Sequence, residues 1–313
     1  MNDDQCCSVS VIIPTYNRAE LVREALESVF SQTFQNFEVI VVDNGSTDHT
    51  GEVLARFDDR VRLVLTGRSS IGGARNEGIQ RATGEYLAFL DSDDLWKPEK
   101  LERHLKFAQD HPDCVLTYTD AIQFSKAGEN ANSFADRFPA LCNPASIFSP
   151  MITEYAIPLS STVLIKTSFL RETGLLFPVE VGVIEDLDLF LRILMAGGKF
   201  AYLPERLTMR RLHDSNFSSD NGRRFRQRKI LYGDLLHQPP CYYSPEQRAA
   251  LEAGLRDATY RAAESDWEEF NLAAARKGFF ESLAFDERGA RGLAYGMLTY
   301  LPSPWIAALR KLT

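Results

Sequence analysis

Apolar and polar positions change their period several times along this chain, and each change marks an element. Ser8–Ile13 is a short apolar run of strand type, which Pro14 is expected to stop. From Ala19 to Gln32 the apolar residues Leu21, Val22, Ala25, Leu26 and Val29 recur at helical spacing. Phe37–Val42 is a second continuous apolar strand, ending at Asp43. Ser46–Thr50 then offers hydroxyl and carboxylate caps for a helix that runs to Phe57. Val61–Leu65 reads as a third strand, Gly72–Ala82 as a helix and Glu85–Leu90 as a fourth strand. Pro98 suits the first turn of a helix over Lys97–Asp110, and Val115–Tyr118 is again a strand. Strands that are apolar on both faces and alternate with helices predict an α/β unit. Its central sheet is mostly parallel and flanked by helices.

From Ala121 to Pro158 the periodicity fades into Gly, Asn, Pro and Ser, which predicts a long functional loop. Structure resumes with a strand at Leu159–Ile165 and a short helix to Thr173. Glu185 and Asp186 open a further helix that ends at Gly197-Gly198. Two strands follow, Phe200–Leu203 and Leu207–Leu212, the second delivering His213. Beyond Asn221 the spacing is helical throughout, over Ser244–Glu264, Trp267–Leu283 and Arg288–Tyr300. These Ala-rich segments resemble a small hairpin array of tetratricopeptide type, without a clean internal repeat. The expected division is a nucleotide-site unit over 1–220 and an all-α extension over 221–313.

In open sheets of this kind, ligands bind beyond the carboxyl ends of the strands. That rule collects Pro14, Thr15, Tyr16, Asn17, Asp43, Asn44, Arg68, Arg75, Asp91, Ser92, Asp93 and Asp94 on one rim. Three carboxylates at the mouth of a buried strand repel one another unless a cation lies among them. Hard divalent ions take oxygen ligands and commonly hold nucleotide phosphates. The plainer reading is a polar turn in which Asp94 caps the next helix. Neither a GxGxxG fingerprint nor a Walker P-loop is present.

Composition narrows the field. The 313 residues are 44% hydrophobic and 25% charged, as in ordinary globular proteins, and the net charge of −8 argues against a nucleic-acid partner. Cys6, Cys7, Cys114, Cys142 and Cys241 form neither a disulfide framework nor a zinc spacing, and fit a reducing compartment. The N-terminus lacks signal-peptide features and no apolar run is long enough to span a bilayer. A cytoplasmic protein is expected, at most peripheral at the inner face of a membrane. Such contact has two candidate segments. Arg223–Lys229 reads as a solvated helix face or a site for anionic headgroups; the Tyr295–Leu309 stretch reads as helix packing or an interfacial anchor.

Five motifs together carry a resemblance: Val9–Asn17 (VSVIIPTYN), Val41–Asp48 (VVDNGSTD), Gly73–Gly78 (GARNEG), Leu90–Asp94 (LDSDD) and Glu185–Leu189 (EDLDL). In this order and at these separations the chain resembles the inverting family 2 glycosyltransferases, over about two-thirds of its length. The resemblance implies the GT-A fold and transfer of a hexosyl or N-acetylhexosaminyl group from a UDP-, dTDP- or GDP-sugar. The implied acceptor is a hydroxyl of a glycan or lipid-linked intermediate, as in cell-surface polysaccharide biosynthesis, and the implied cofactor is Mn²⁺ or Mg²⁺.

Carried over residue by residue, Pro14, Thr15, Tyr16, Asn17, Asp43 and Asn44 would hold the nucleoside, and Arg75 would contact the nucleotide. Asp91, Ser92 and Asp93 match the DxD element; the metal falls to Asp93 or Asp94, with His213 completing the site. Asp186 matches the catalytic base and Glu185 a residue that supports it or the acceptor, while Asp188 reads as solvated. A helix N-terminus is expected to keep Asp186 ionised. Many members have Asp where this chain has Asn44, which leaves UDP open against dTDP or GDP. A nucleotidyltransferase is disfavoured because no Gly-rich, Lys-containing loop follows Ile13. The alternative from another class is a non-catalytic carbohydrate-binding or scaffold protein on the same fold, against which intact Asp91, Asp93, Asp94 and Asp186 argue.

Overall fold

The computed structural model describes residues 7–125, 128–180, 183–212, 221–239, 242–269, 271–283 and 295–300. The chain divides into two compact units, Met1–Asp214 and Ser215–Thr313. The first is built on β1 (Val9–Thr15), β2 (Phe37–Asp43), β3 (Arg62–Leu65) and β4 (Tyr86–Phe89), all parallel, in the order β3-β2-β1-β4. The sheet continues from β4 through β8 (Val163–Lys166), β6 (Leu116–Ser125) and β9 (Phe200–Arg211) to the two-residue β5 (Leu95–Trp96). Here β8 runs antiparallel to both β4 and β6, while β9 is parallel to β6. The sheet is therefore mostly parallel, with β8, β5 and the hairpin strand β7 (Gly128–Ser133) reversed. This agrees with the mostly parallel, helix-flanked sheet that the sequence predicts.

Helices cover both faces because the first strands are apolar on both. Val9, Val11 and Ile13 of β1 pack with Val22, Leu26 and Val29 of α1 (Ala19–Phe30) and Leu101 and Leu105 of α4 (Lys100–Asp110). On the other face α3 (Ile71–Arg81) lies directly on β1. A Cβ at Gly78 would sit 2.4 Å from Cγ2 of Ile12, so only glycine lets the helix approach this closely.

Pro14 does not stop β1; it ends one of its two pairings. The Thr15 carbonyl accepts from the Asn44 N–H, so the backbone of Thr15 faces β2 and that of Pro14 faces β4. Pro14 has no N–H to extend the β4 ladder. That ladder ends where Leu90 N–H donates to the Ile12 carbonyl, and the chain leaves the sheet to form the Asp91–Asp94 loop.

The described residues of the span 121–158 form strands and helices rather than one loop. β6 runs on to Ser125 and turns back as β7, whose polar sequence hides it from a periodicity reading. A capping box between Ser133 and Asp136 starts α5 (Phe134–Arg137), and α6 (Phe148–Thr153) buries Phe148, Met151 and Ile152. Likewise Phe200–Arg211 is one strand whose register shifts opposite Thr119–Ala121, and Ser160–Thr162 is a short 3-10 turn before β8. The remaining helices of this unit are α2 (Thr50–Leu54), α7 (Thr167–Thr173) and α8 (Glu185–Met195).

The second unit contains α9 (Asn221–Leu236), α10 (Pro245–Glu268) and α11 (Leu272–Leu283). Ser244 and Gln247 form a capping box with Pro245 at the first helical position. Tyr260, Ala263, Trp267, Ala275 and Phe279 make its core, with Tyr295 and Leu298 packed against it. The basic stretch of α9 is not a uniformly solvated face. Arg226 pairs with Asp266 and Glu269, Lys229 pairs with Glu281, and Arg228 is buried. No helix among the described residues is long and apolar enough to cross a membrane.

Candidate active site

The rim gathers the ends of β1, β2 and β4 with the N-terminus of α8. Ser70 caps α3 by accepting from the Gly73 N–H at 3.1 Å, and Asn76 fixes the helix laterally through two hydrogen bonds with the Phe177 backbone. Arg75 is thereby aimed under the rim. Its Nη2 donates to Asp91 Oδ1 at 2.6 Å and its Nη1 to Glu185 Oε1 at 2.7 Å. Arg75 is only 1% exposed, and its guanidinium also faces the Phe177 ring at 5.1 Å. Expected to contact the nucleotide, it ties the Asp91 loop to the start of α8. The two carboxylates hold it firmly charged despite burial. Glu185, expected to support the base or acceptor, is the other end of that tie.

Asp186 follows Glu185 at the same helix start, half-buried, with Oδ1 accepting from the Leu187 N–H at 2.7 Å. The helix terminus does not keep it strongly acidic. Desolvation first, then the adjacent Glu185 carboxylate, outweigh the attraction of Arg75, and its pKa is pushed up to about 7. Asp188 is not solvated: it is buried and pairs with Arg192 one turn on.

Within the loop after β4 each carboxylate has a different partner. Asp91, about a third exposed, is held by Arg75, and Asp93 by Arg18. Asp94 is buried, accepting from Ser161 Oγ at 2.7 Å and from the Arg211 N–H at 3.1 Å. Burial, then repulsion from Asp93 and Asp91, pushes its pKa up to about 8. Ser161 Oγ also accepts from the Asp91 N–H at 3.1 Å, and its carbonyl accepts from Trp96 Nε1. Arg211 grips the loop a second time through Nε to the Asp93 carbonyl, while its Nη2 reaches Glu24. Ser92 is buried within the same turn.

On the nucleoside side, Thr15 is buried at the end of β1 with no hydrogen-bond partner for Oγ1, and Pro14 is buried beside it. The Tyr16 ring is covered by the Arg68 guanidinium at 3.4 Å. Asn17 adopts a left-handed backbone (φ +49°) and its Oδ1 accepts from the Thr47 N–H, so it serves the loop after β2. Asp43 caps the same loop at the Ser46 N–H. The Asn44 amide is taken up internally: Nδ2 donates to the Ser69 carbonyl, and Oδ1 accepts from Ser69 N–H and Oγ, each within 2.9 Å. His213 lies outside the described residues.

Asp91, Asp93 and Asp94 form a hard-oxygen donor set of the kind Mg²⁺ and Mn²⁺ accept. Among the described residues no three His, Cys, Asp or Glu side chains converge into a cage. An ion held by one or two carboxylates plus diphosphate oxygens needs none, so the residues fit that role. Arg18, Ser161 and Arg211 were not singled out by sequence reasoning; the polar run Ser160–Thr162 inside an apolar segment was the one available signal.

The model of glycosyl transferase family 2 matches residues 10–156. The provisionally named teichuronic acid biosynthesis glycosyltransferase TuaG of Bacillus subtilis is 29% identical over 234 residues, covering 72% of this chain and 88% of its own. An uncharacterized glycosyltransferase of Rickettsia felis is 35% identical over 187 residues, covering 59% of this chain but 30% of that longer protein. In structure the chain is similar to residues 1–349 of S. aureus TarS in complex with UDP-GlcNAc. The TM-score is 0.68 at 20% identity, over 94% of this chain and 89% of that one. The mannosyltransferase PcManGT of Pyrobaculum calidifontis, in complex with GDP-Man and Mn²⁺, matches with TM-score 0.61 at 21% identity, over 96% and 83%.

Proposed function

The chain belongs to glycosyl transferase family 2, and from that premise we propose that it moves a sugar from a nucleoside-diphosphate donor to an acceptor hydroxyl by a single inverting displacement. The observation that carries the reading is the Arg75 bridge, which fixes the Asp91 loop against the helix start bearing Asp186. One end of that bridge suits a donor diphosphate, the other an attacking hydroxyl.

In this reading the anomeric carbon lies between the Asp91–Asp94 loop and Asp186. Asp186 takes the acceptor proton as the hydroxyl attacks from the face opposite the leaving diphosphate. A carboxylate whose pKa is near 7 is a better general base at neutral pH than one near 4, because it is still ionised yet more basic. Arg75 keeps Asp186 from climbing further and holds its helix in register with the donor loop. Asp93, with Asp94 as the alternative and His213 as a further ligand, would hold Mg²⁺ or Mn²⁺. When bound, the ion supplies Lewis-acid neutralisation of charge developing on the diphosphate.

The buried, unpartnered hydroxyl of Thr15 and the Arg68-covered Tyr16 ring suit the nucleoside. Asn44 suits the role of bracing the 66–69 loop rather than reading the base directly. The UDP-GlcNAc and GDP-Man of the similar structures support a nucleotide sugar without choosing between bases. The TuaG likeness supports a cell-surface polysaccharide acceptor, glycan or lipid-linked.

The test is a thermal-shift screen of UDP, dTDP, GDP and CDP with and without Mn²⁺, followed by donor turnover with the stabilising nucleotide's sugars. Stabilisation by one nucleotide and turnover lost in Asp186→Asn are expected. No stabilisation by any nucleotide at saturation would overturn the donor-site reading and favour a non-catalytic binding role.

A further inference from the structure

The ion pair between Arg18 and Asp93 joins two backbones that are each held in place. Arg18 follows Asn17, whose left-handed conformation is tied to the loop after β2 through the Thr47 N–H and Ser46 Oγ. The Arg18 N–H itself donates to Thr50 Oγ1 at 3.2 Å. Opposite, the Asp93 carbonyl accepts from Arg211 Nε at 3.0 Å, and the Asp94 N–H closes the turn onto the Asp91 carbonyl at 2.9 Å. The side chains of the pair remain 24% and 13% exposed, so the Arg18 guanidinium reaches water where that of Arg75, at 2%, does not. Between two fixed backbones, the guanidinium on its long stem is the part free to change partner.

A divalent ion and a guanidinium compete for one carboxylate, since like charges a few ångströms apart repel. A nucleoside diphosphate changes that competition. It brings phosphate oxygens that a guanidinium fork can bind through two N–H groups at once. We propose that Arg18 is a partner-exchanging lock on Asp93. It holds the carboxylate while the donor site is empty, moves to the diphosphate when a nucleotide arrives, and so releases Asp93 to the metal ion. The inference rests on the donor-site reading above, and it makes metal and nucleotide binding mutually reinforcing. Neither motif nor family likeness assigned Arg18 a role.

The experiment titrates Mn²⁺ by the loss of its free-ion electron paramagnetic resonance signal, in wild type, Arg18→Gln and Arg18→Lys, with and without saturating UDP or GDP. Without nucleotide, R18Q is expected to bind Mn²⁺ about tenfold tighter than wild type, a typical size for coupling between sites. R18K, which keeps the charge but not the fork, should fall between them. Nucleotide should tighten Mn²⁺ binding severalfold in wild type and much less in R18Q. Adding Asp93→Asn to R18Q should abolish the gain, which ties it to that carboxylate. Thermal melts of each variant verify folding, and R18K carries the test if R18Q does not fold. Equal Mn²⁺ affinity of wild type and the folded Arg18 variants without nucleotide would overturn the lock. If UDP or GDP still stabilised those samples, the donor-site reading would survive that result. If the lock behaved as expected in Mn²⁺ alone but no nucleotide bound, the donor-site reading would fall instead, and with it the exchange onto a diphosphate.

Discussion

Removing the Arg75 guanidinium while keeping its bulk, as in Arg75→Met, leaves two carboxylates without their cation. They do not weigh equally. The Glu185 side chain is 9% exposed, so its charge has little access to water, whereas Asp91 at 32% is readily rehydrated. Breaking a buried pair by deleting one partner costs about 3–5 kcal/mol, and nearly all of it falls on Glu185. For a unit of this size that corresponds to a fall in Tm of roughly 6–20 °C. Urea unfolding of wild type and R75M at pH 7.5 measures this directly. The double variant R75M/E185Q, which removes the stranded charge, should regain most of the lost stability at pH 7.5. A single variant within about 1 kcal/mol of wild type at pH 7.5 would refute the reasoning. So would a double variant no better than the single.

Asp186→Asn should lower kcat by about 10²–10⁴-fold with the donor KM little changed. Because the Asp186 pKa is pushed up to about 7, wild-type turnover should rise with pH through that value, a limb the variant lacks; flat profiles for both would count against the base assignment. Lys100 is fully buried over the Trp96 ring at 3.9 Å, and burial depresses its pKa to about 7. The folded protein thus loses a proton that the unfolded chain retains up to about pH 10. Stability should rise with pH across that window, and Lys100→Met should flatten the rise and increase Tm at pH 7, as melts at pH 7 and 9.5 would reveal. Asn44→Asp would turn the Nδ2 donor to the Ser69 carbonyl into a second acceptor, and should destabilise by about 1–3 kcal/mol in chemical unfolding. An unchanged midpoint would mean that the 66–69 loop does not depend on this amide.

What could be read from the sequence and what could not divide along a physical line. The strands β1, β2 and β4 were legible because burial on both faces leaves a continuous apolar run. Their carboxyl ends were legible because polarity returns abruptly at Thr15, Asp43 and Asp91. A strand end is coded locally, so the rim residues could be named. Which rim residue faces which is coded by packing between distant segments, and there the reading ran out. Nothing near Arg75 announces Glu185. In a linear view it is an ordinary helix arginine, and only the docking of α3 against the Phe177 segment buries it beneath the rim. Ser161 sits in what reads as a strand, yet its one hydroxyl joins the Asp91 N–H to the Asp94 carboxylate. The polar strand β7 was invisible because it pairs at an edge without an apolar alternation to betray it. The same logic explains why Asp186 defied its local rule. A helix N-terminus favours an ionised acid, but the neighbouring Glu185 and the loss of water favour the proton, and tertiary burial decided the balance. In this protein, then, the acids that suit the chemistry are marked by local sequence. Their protonation is set by burial and by neighbouring carboxylates, and their alignment by arginines that only the folded chain brings to them.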